Sequence, residues 1–197
     1  MKARTRHSIT PGDERQKRLG NADERAALAA EIVAAAVLRG SFTLRSGAVS
    51  DYYIDKYRFT TQPALLARIT DALLPHVPQD TQRIAGTVLG AVPLAVALSL
   101  RTGLPSVLVR ADAKAYGTAK SVEGELQSGE RVLLIEDVVT SGGAAIAAVE
   151  ALRTAGATVS GILAVIDRED GGRERAAAAE VPFLALFTRT ELGLGGQ

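Results

Sequence analysis

The apolar positions of this chain keep two rhythms that take turns along its length. One is a short unbroken run: "RIAGTV" at 83–88, "PSVLVR" at 105–110, "RVLLIED" at 131–137, "TVSGILAVID" at 158–167 and "PFLALF" at 182–187. Val132-Leu133-Leu134-Ile135 in the third is β-branched or leucine throughout with no polar alternation, the pattern of a strand buried on both faces of a parallel sheet. The other rhythm is helical. "VPLAVALSLRTG" follows the first run, and after the third Ile146, Val149 and Leu152 share one face while Glu150 and Arg153 fall elsewhere and Gly156 supplies a stop. Upstream, Asn21 is a fair N-cap for the alanine-rich "ADERAALAAEIVAAAVLRG", with Gly40 closing that helix. Two strand-like pieces, "SFTLR" and "DYYID", flank a Ser46-Gly47 turn, and a further helix is predicted from Gln62 to Leu74. Alternating strands and helices predict an α/β fold, a doubly wound and mostly parallel sheet flanked by helices, with a small α/β hood built from residues near 21–60 and the C-terminus.

The third run ends in chemistry. In "RVLLIEDVVTSGGAAIAAVEALRTAG" a buried strand leads to Glu136 and Asp137, then to Thr140-Ser141-Gly142-Gly143, then to a helix. Ligands of open α/β sheets sit beyond the carboxyl ends of the strands, so the acidic pair and the loop share one crevice. Free amides and hydroxyls at a helix start make an anion site suited to phosphate. Carboxylates repel phosphate, so Glu136 and Asp137 must address another part of the same ligand. A vicinal diol fits, each hydroxyl donating a charge-assisted bond worth about 1.5–3 kcal/mol. From the residues alone the ligand is a ribose 5-phosphate.

Composition narrows the chemistry further. At 197 residues and 47% hydrophobic the chain can bury one sizeable core, and a net charge of +1 gives no global attraction to nucleic acid or membrane. Absence of cysteine removes disulfides, thiol nucleophiles and cysteine-metal clusters and fits a cytoplasmic location. His7 and His76 are the only histidines, which argues against a histidine metal site or a Ser-His-Asp triad; His76, between Pro75 and Pro78, reads as a helix-end residue. Residues 1–20, "MKARTRHSITPGDERQKRLG", read as a flexible basic extension rather than a signal peptide or a nucleic-acid arm, ahead of a single domain over 21–197. No apolar run is long enough to cross a bilayer. "GLGGQ" at the C-terminus has no strand before it and no helix after it, so it is no dinucleotide fingerprint.

"VLLIEDVVTSGGA" resembles the phosphoribosyl pyrophosphate (PRPP) motif of the type I phosphoribosyltransferases, and three further segments resemble the orotate branch of that family. "FTLRSGAVSDYYIDKYRF" is similar to its N-terminal motif, with Tyr53 and Ile54 on the usual aromatic pair and Arg45 in place of a lysine. "VIDREDGG" resembles the segment whose arginine, here Arg168, holds the orotate carboxylate. "VRADAKAYGTAKSVEGEL" resembles the lid that closes over PRPP: Arg110, Lys114 and Gly117 match, Ala111 replaces a lysine and Tyr116 stands where histidine is common. "GTVLGAVPLA" resembles the pyrophosphate loop, in which Gly86, Thr87, Gly90 and Ala91 would offer backbone amides. Some members carry a lysine at the position of Gly90, so this turn presents fewer cations than the richest pattern.

The resemblance implies the type I fold and transfer of the 5-phosphoribosyl group from PRPP to orotate, giving orotidine 5'-phosphate and pyrophosphate in de novo pyrimidine synthesis. It implies PRPP binding by Glu136, Asp137, Val138, Val139, Thr140, Ser141, Gly142, Gly143 and Ala144 with Arg110, Lys114, Tyr116 and Gly90, and orotate binding by Arg168, Thr140, Tyr53, Ile54 and Arg45. Lys114, Arg110 and Asp137 are its expected catalytic residues. It implies Mg2+ held mainly through PRPP, and a homodimer whose lid, residues 110–121, reaches the neighbouring site. Two other readings share the fold. Another nucleobase transferase has no use for an arginine aimed at a carboxylate. A non-catalytic PRPP-sensing regulator is favoured by the basic tail and Ala111, and disfavoured by Lys114 in its lid.

Overall fold

The computed structural model of the protein describes residues 11–43, 47, 49–110 and 121–194, with side chains from Ala22 onward. A long helix α1 (Pro11–Ala36) leads into an antiparallel ribbon of β1 (Val37–Thr43) and β2 (Val49–Ile54), followed by the short α2 (Tyr57–Thr60) and α3 (Pro63–Leu73). The α/β alternation then runs β3 (Arg83–Thr87), α4 (Val92–Thr102), β4 (Ser106–Val109), β5 (Val122–Glu123), β6 (Arg131–Val139), α5 (Gly143–Thr154), β7 (Thr158–Asp167), α6 (Gly172–Ala178) and β8 (Phe183–Thr188). These strands form one six-stranded sheet in the order β5-β4-β3-β6-β7-β8, parallel throughout except for β5.

The unbroken apolar runs have the predicted cause. In β6, Leu133 and Ile135 face a core with α1, α3 and α4, while Val132 and Leu134 face a second core with α5 and α6, and all four are buried. Helices on both faces make the sheet doubly wound, and β6, an interior strand between β3 and β7, carries the acidic pair. The hood joins the first core through Leu28, Ile32, Tyr52 and Ile54. Arg25 ties α1 to the C-terminal end, with its guanidinium 4.5 Å above the Phe187 ring and Nη2 2.8 Å from Glu191 Oε1.

Four local features differ from the sequence reading. The helix predicted from Asn21 to Gly40 reaches back to Pro11 and ends at Ala36, because Val37 and Leu38 pair with Ile54 and Tyr53 in the ribbon. Gly40 therefore lies inside β1, where the register shifts between Arg39 and Phe42. The polar segment after β4 ends in β5, two residues that pair Val109 with Val122. The helix α6 also goes beyond the predicted elements; of its seven residues only Gly172 and Ala176 are buried, too few for a periodic signal. His76 does close a helical turn, a 3-10 turn over Leu74–His76. Among the described residues no helix is long and apolar enough to cross a membrane.

Candidate active site

The carboxyl ends of β3, β6 and β7 meet in one crevice. At the end of β6 the pleat would send Glu136 and Asp137 to opposite faces, yet both side chains are buried, at 5% and 1% residue exposure, because loops close over the strand ends. Glu136 Oε2 accepts a 2.7 Å bond from Thr87 Oγ1 at the end of β3, while Oε1 is buried with no hydrogen-bond partner among the described residues. Burial pushes the Glu136 carboxyl up to about 8; the Thr87 bond and the Lys56 charge oppose that rise and the charge of Asp137 adds to it. Asp137 Oδ1 accepts from the Val138 amide at 2.6 Å, and Oδ2 pairs with Lys56 Nζ at 3.0 Å. Burial alone would lower the Lys56 ammonium, but the Asp137 charge and hydrogen bond outweigh it, and the group titrates above an ordinary lysine.

Around this pair lies a pocket whose walls include Lys56, Thr87, Gly90, Arg110, Val138 and Ala144. Gly90 is the only residue type that fits its place. A Cβ there would stand 1.7 Å from Asp137 Oδ2 and 2.9 Å from Lys56 Cε. Two amides expected to face a ligand are occupied or remote: Ala91 N donates to Thr87 O at 3.2 Å, and Gly86 is inside β3, packed so close to α4 that a Cβ would meet Ala95 at 2.6 Å.

Beyond β6, Thr140 and Ser141 are exposed and Gly142 caps α5 in the left-handed region, φ 77°. The turn is backed by α6, since a Cβ on Gly142 would lie 3.0 Å from Gly172 Cα. Gly143 and Ala144 begin α5, so the amides of this turn are those a helix leaves free at its N-terminus, and Ala144 is on the pocket wall. The arrangement offers an anion site and two buried carboxylates within one loop length.

Arg168 follows β7 and is fixed to the same loop, its amide donating to Val139 O at 2.8 Å. The two acids that flank it, Asp167 and Glu169, are turned elsewhere. Asp167 accepts from the Glu169 amide at 2.9 Å and from Arg173 at 3.4 Å. Glu169, held in the left-handed region, accepts from Thr190 Oγ1 and N at 2.7 and 3.0 Å, which keeps its carboxyl below the ordinary range. The Arg168 side chain is 17% exposed, with Nε 3.3 Å from Asp170 Oδ2 and its guanidinium 5.7 Å over the Tyr52 ring. A half-buried guanidinium at a strand end, beside an anion loop, is suited to a planar carboxylate.

Residues 60–183 match the phosphoribosyl transferase domain model. Orotate phosphoribosyltransferase from Halobacterium salinarum is 48% identical over 157 residues, 80% of this chain and 89% of the relative. This chain belongs to the orotate phosphoribosyltransferase family. The same family's enzyme from Nocardioides sp. is 44% identical over 167 residues, 85% of this chain and 93% of the relative. The crystal structure of Mycobacterium tuberculosis orotate phosphoribosyltransferase in complex with PRPP superposes with a TM-score of 0.73 at 32% identity, covering 87% of this chain and 99% of that one.

Of the residues that the family resemblance singles out, Glu136, Asp137, Gly90 and Arg110 come together in the pocket, with the turn from Thr140 to Ala144 at the end of the same strand and Arg168 alongside. Tyr53 and Ile54 lie on opposite faces of β2. Ile54 is buried in the core, while Tyr53, on the opposite face of β2, is 46% exposed and stacks on Phe42 at 5.7 Å. Tyr52, on the face of Ile54, is the ring under Arg168. Arg45, Lys114 and Tyr116 lie outside the described residues. The two residues that bracket the segment of Lys114 and Tyr116 are held together at the pocket: Arg110 N donates to Ser121 O at 2.8 Å, and Arg110 Nε sits 3.2 Å from Glu123. Sequence reasoning missed Lys56, the Thr87 hydroxyl and Tyr52, whose contacts run across 81, 49 and 116 residues and leave no local pattern.

Proposed function

We propose that this chain transfers the 5-phosphoribosyl group of PRPP to orotate, forming orotidine 5'-phosphate and pyrophosphate, the step that commits the base to pyrimidine nucleotide synthesis. The observation that carries it is the register of two neighbouring strand ends: Val139, which opens the Thr140–Ala144 turn, is bonded directly to the backbone of Arg168. One strand end thereby offers sites for a phosphate and a diol, and the next a site for a carboxylate, at adjacent positions.

In this reading the turn amides and hydroxyls of Thr140 to Ala144 hold the 5-phosphate, and Glu136 and Asp137 accept hydrogen bonds from the ribose hydroxyls. Arg168 holds the orotate carboxylate, with Tyr52 beneath its guanidinium and Thr140 near the base. Tyr53, Ile54 and Arg45 belong to the orotate side of the site, as the family resemblance implies, with Ile54 reaching it from the core. The ring nitrogen forms its bond to ribose C1 as the C1–oxygen bond to diphosphate breaks, with inversion through an oxocarbenium-like transition state. The chain positions the partners, excludes water and stabilises the departing charge, with Arg110 and Lys114 as the lid cations. Mg2+ would be held mainly through the diphosphate and the ribose hydroxyls, with Glu136 and Asp137 orienting those hydroxyls, and would neutralise the diphosphate charge. Among the described residues no group of three His, Cys, Asp or Glu side chains is gathered to hold a metal.

The same proposal includes a homodimer in the cytoplasm whose lids cross between sites. Support for the dimer is the exposed apolar surface of α4 and the turn before it, where Leu100 is 81%, Leu89 62% and Val96 42% exposed.

Replacing Arg168 tests the base assignment. Arg168→Ala leaves the carboxylate of orotate unpaired and lowers kcat/KM for orotate by about two to three decades, while PRPP affinity in calorimetry hardly changes. Near-normal orotate kinetics in the variant, or a wild-type preference for adenine, hypoxanthine or uracil, would overturn it.

A further inference from the structure

Lys56 belongs to none of the phosphate, ribose or base positions discussed above. It stands two residues beyond β2, on the hood side of the crevice, and its ammonium lies 3.0 Å from Asp137 Oδ2. Its stem fills the space that Gly90 leaves open: a Cβ on Gly90 would meet Lys56 Cε at 2.9 Å. The turn before α4 therefore cannot place a side chain of its own against Asp137, and the cation there comes from the hood.

Three observations limit what this lysine does. The Asp137 side chain is 2% exposed, and a carboxylate buried to that degree needs a charged or hydrogen-bonding partner at all times. The Lys56 side chain is 37% exposed on a flexible stem, so its ammonium can leave the carboxylate without being buried elsewhere. Arg110, the other cation on the pocket wall among the described residues, is held by Glu123. A diphosphate entering here meets Glu136 and Asp137, and Lys56 is the cation placed between it and them.

Resting on the phosphoribosyl-transfer reading, we propose that Lys56 is a substrate-binding residue for the diphosphate of PRPP. With the site empty its ammonium neutralises Asp137. When the ribose hydroxyls take over as donors to Asp137, the ammonium is released to the diphosphate oxygens beside Gly90. The lysine holds the carboxylate ready for the diol and adds its charge to the leaving group only once the diol has arrived, so the two halves of the substrate bind cooperatively.

The test compares two ligands that differ by the diphosphate alone. Calorimetry with the full chain and Mg2+ would measure PRPP and ribose 5-phosphate against wild type, Lys56→Met, Lys56→Gln and Lys56→Arg. Lys56→Met weakens PRPP by about 10- to 100-fold, the usual weight of one charged hydrogen bond, while ribose 5-phosphate binds as well as before or better. Lys56→Gln, which can still donate to Asp137, shows the same split if the methionine variant fails to fold, and Lys56→Arg retains most of the PRPP affinity. Equal loss for both ligands would show that Lys56 only orients Asp137, and unchanged PRPP affinity would show that the diphosphate does not use it; either overturns the proposal. Wild-type protein that binds ribose 5-phosphate and PRPP equally well overturns it too, whereas wild type that binds neither overturns the phosphoribosyl-transfer reading itself.

Discussion

At the scale of single residues, the acidic pair shows how differently two adjacent carboxylates can be treated. Asp137 has a cation and a backbone amide, whereas Glu136 has one hydroxyl and an unpartnered buried oxygen. Its carboxyl, raised to about 8, holds a proton in the folded chain that the unfolded chain releases at its ordinary value of 4.5. Between those values the native state binds more protons, so this group's contribution to stability falls as pH rises through that window. Glu136→Gln keeps the acceptor for Thr87 and removes the titration. Its stability relative to wild type should grow, by on the order of 1–3 kcal/mol, between about pH 5 and about pH 9 in chemical denaturation. Parallel profiles for the two proteins would contradict the assignment. The same residue also predicts that PRPP binding releases protons near neutral pH, since the diol donates to the carboxylate at Oε1 and lowers its raised pKa.

At the scale of elements, the loop from Val139 to Gly143 works because α6 is packed directly behind it. Gly142 has φ 77° and its Cα hydrogens face Gly172, so Gly142→Ala meets both a disfavoured conformation and a backbone neighbour at 3.0 Å. The cost is about 1–3 kcal/mol, a fall of roughly 3–10 °C in Tm, with weaker phosphate binding because the turn amides move. An unchanged melting temperature would mean that the turn does not need its glycine. This element also marks where the sequence stops being readable. β6 is legible as an unbroken apolar run and α5 from Ile146, Val149 and Leu152 at helical spacing, and the glycines between are placed where a turn uses them. The backing by α6 is not legible, as seven residues burying Gly172 and Ala176 resemble a loop. Nor is β5, whose two residues acquire strand form only from their pairing with β4. The start of α1 was misplaced because Asn21 is a good cap whether or not a helix already runs through it, and its end because Gly40 serves a strand irregularity as readily as a helix stop. In the site, Glu136, Asp137 and the turn were legible from local order, and Arg168 only through the family resemblance. Lys56 and Tyr52 were not, since each matters through a partner supplied by a distant strand end.

At the scale of the whole molecule, the hood and the sheet converge on one crevice through Lys56 and Asp137, and the segment between Arg110 and Ser121 starts and finishes at its edge. If two chains share lids, Lys114→Ala should lower kcat by more than it weakens PRPP, its charge mattering most as diphosphate departs. Mixing Lys114→Ala with Asp137→Asn chains should then restore roughly a quarter of full activity, because half the dimers are mixed and each has one intact composite site. No recovery after confirmed subunit exchange would mean that each lid serves its own chain. The central claim, transfer of phosphoribose to orotate, is tested most directly by following the ultraviolet absorbance of orotate after adding PRPP and Mg2+ to the purified chain. The account predicts a loss of orotate absorbance that requires PRPP and reverses with orotidine 5'-phosphate and pyrophosphate. Orotate absorbance that stays constant, under conditions where calorimetry shows PRPP bound, would contradict it.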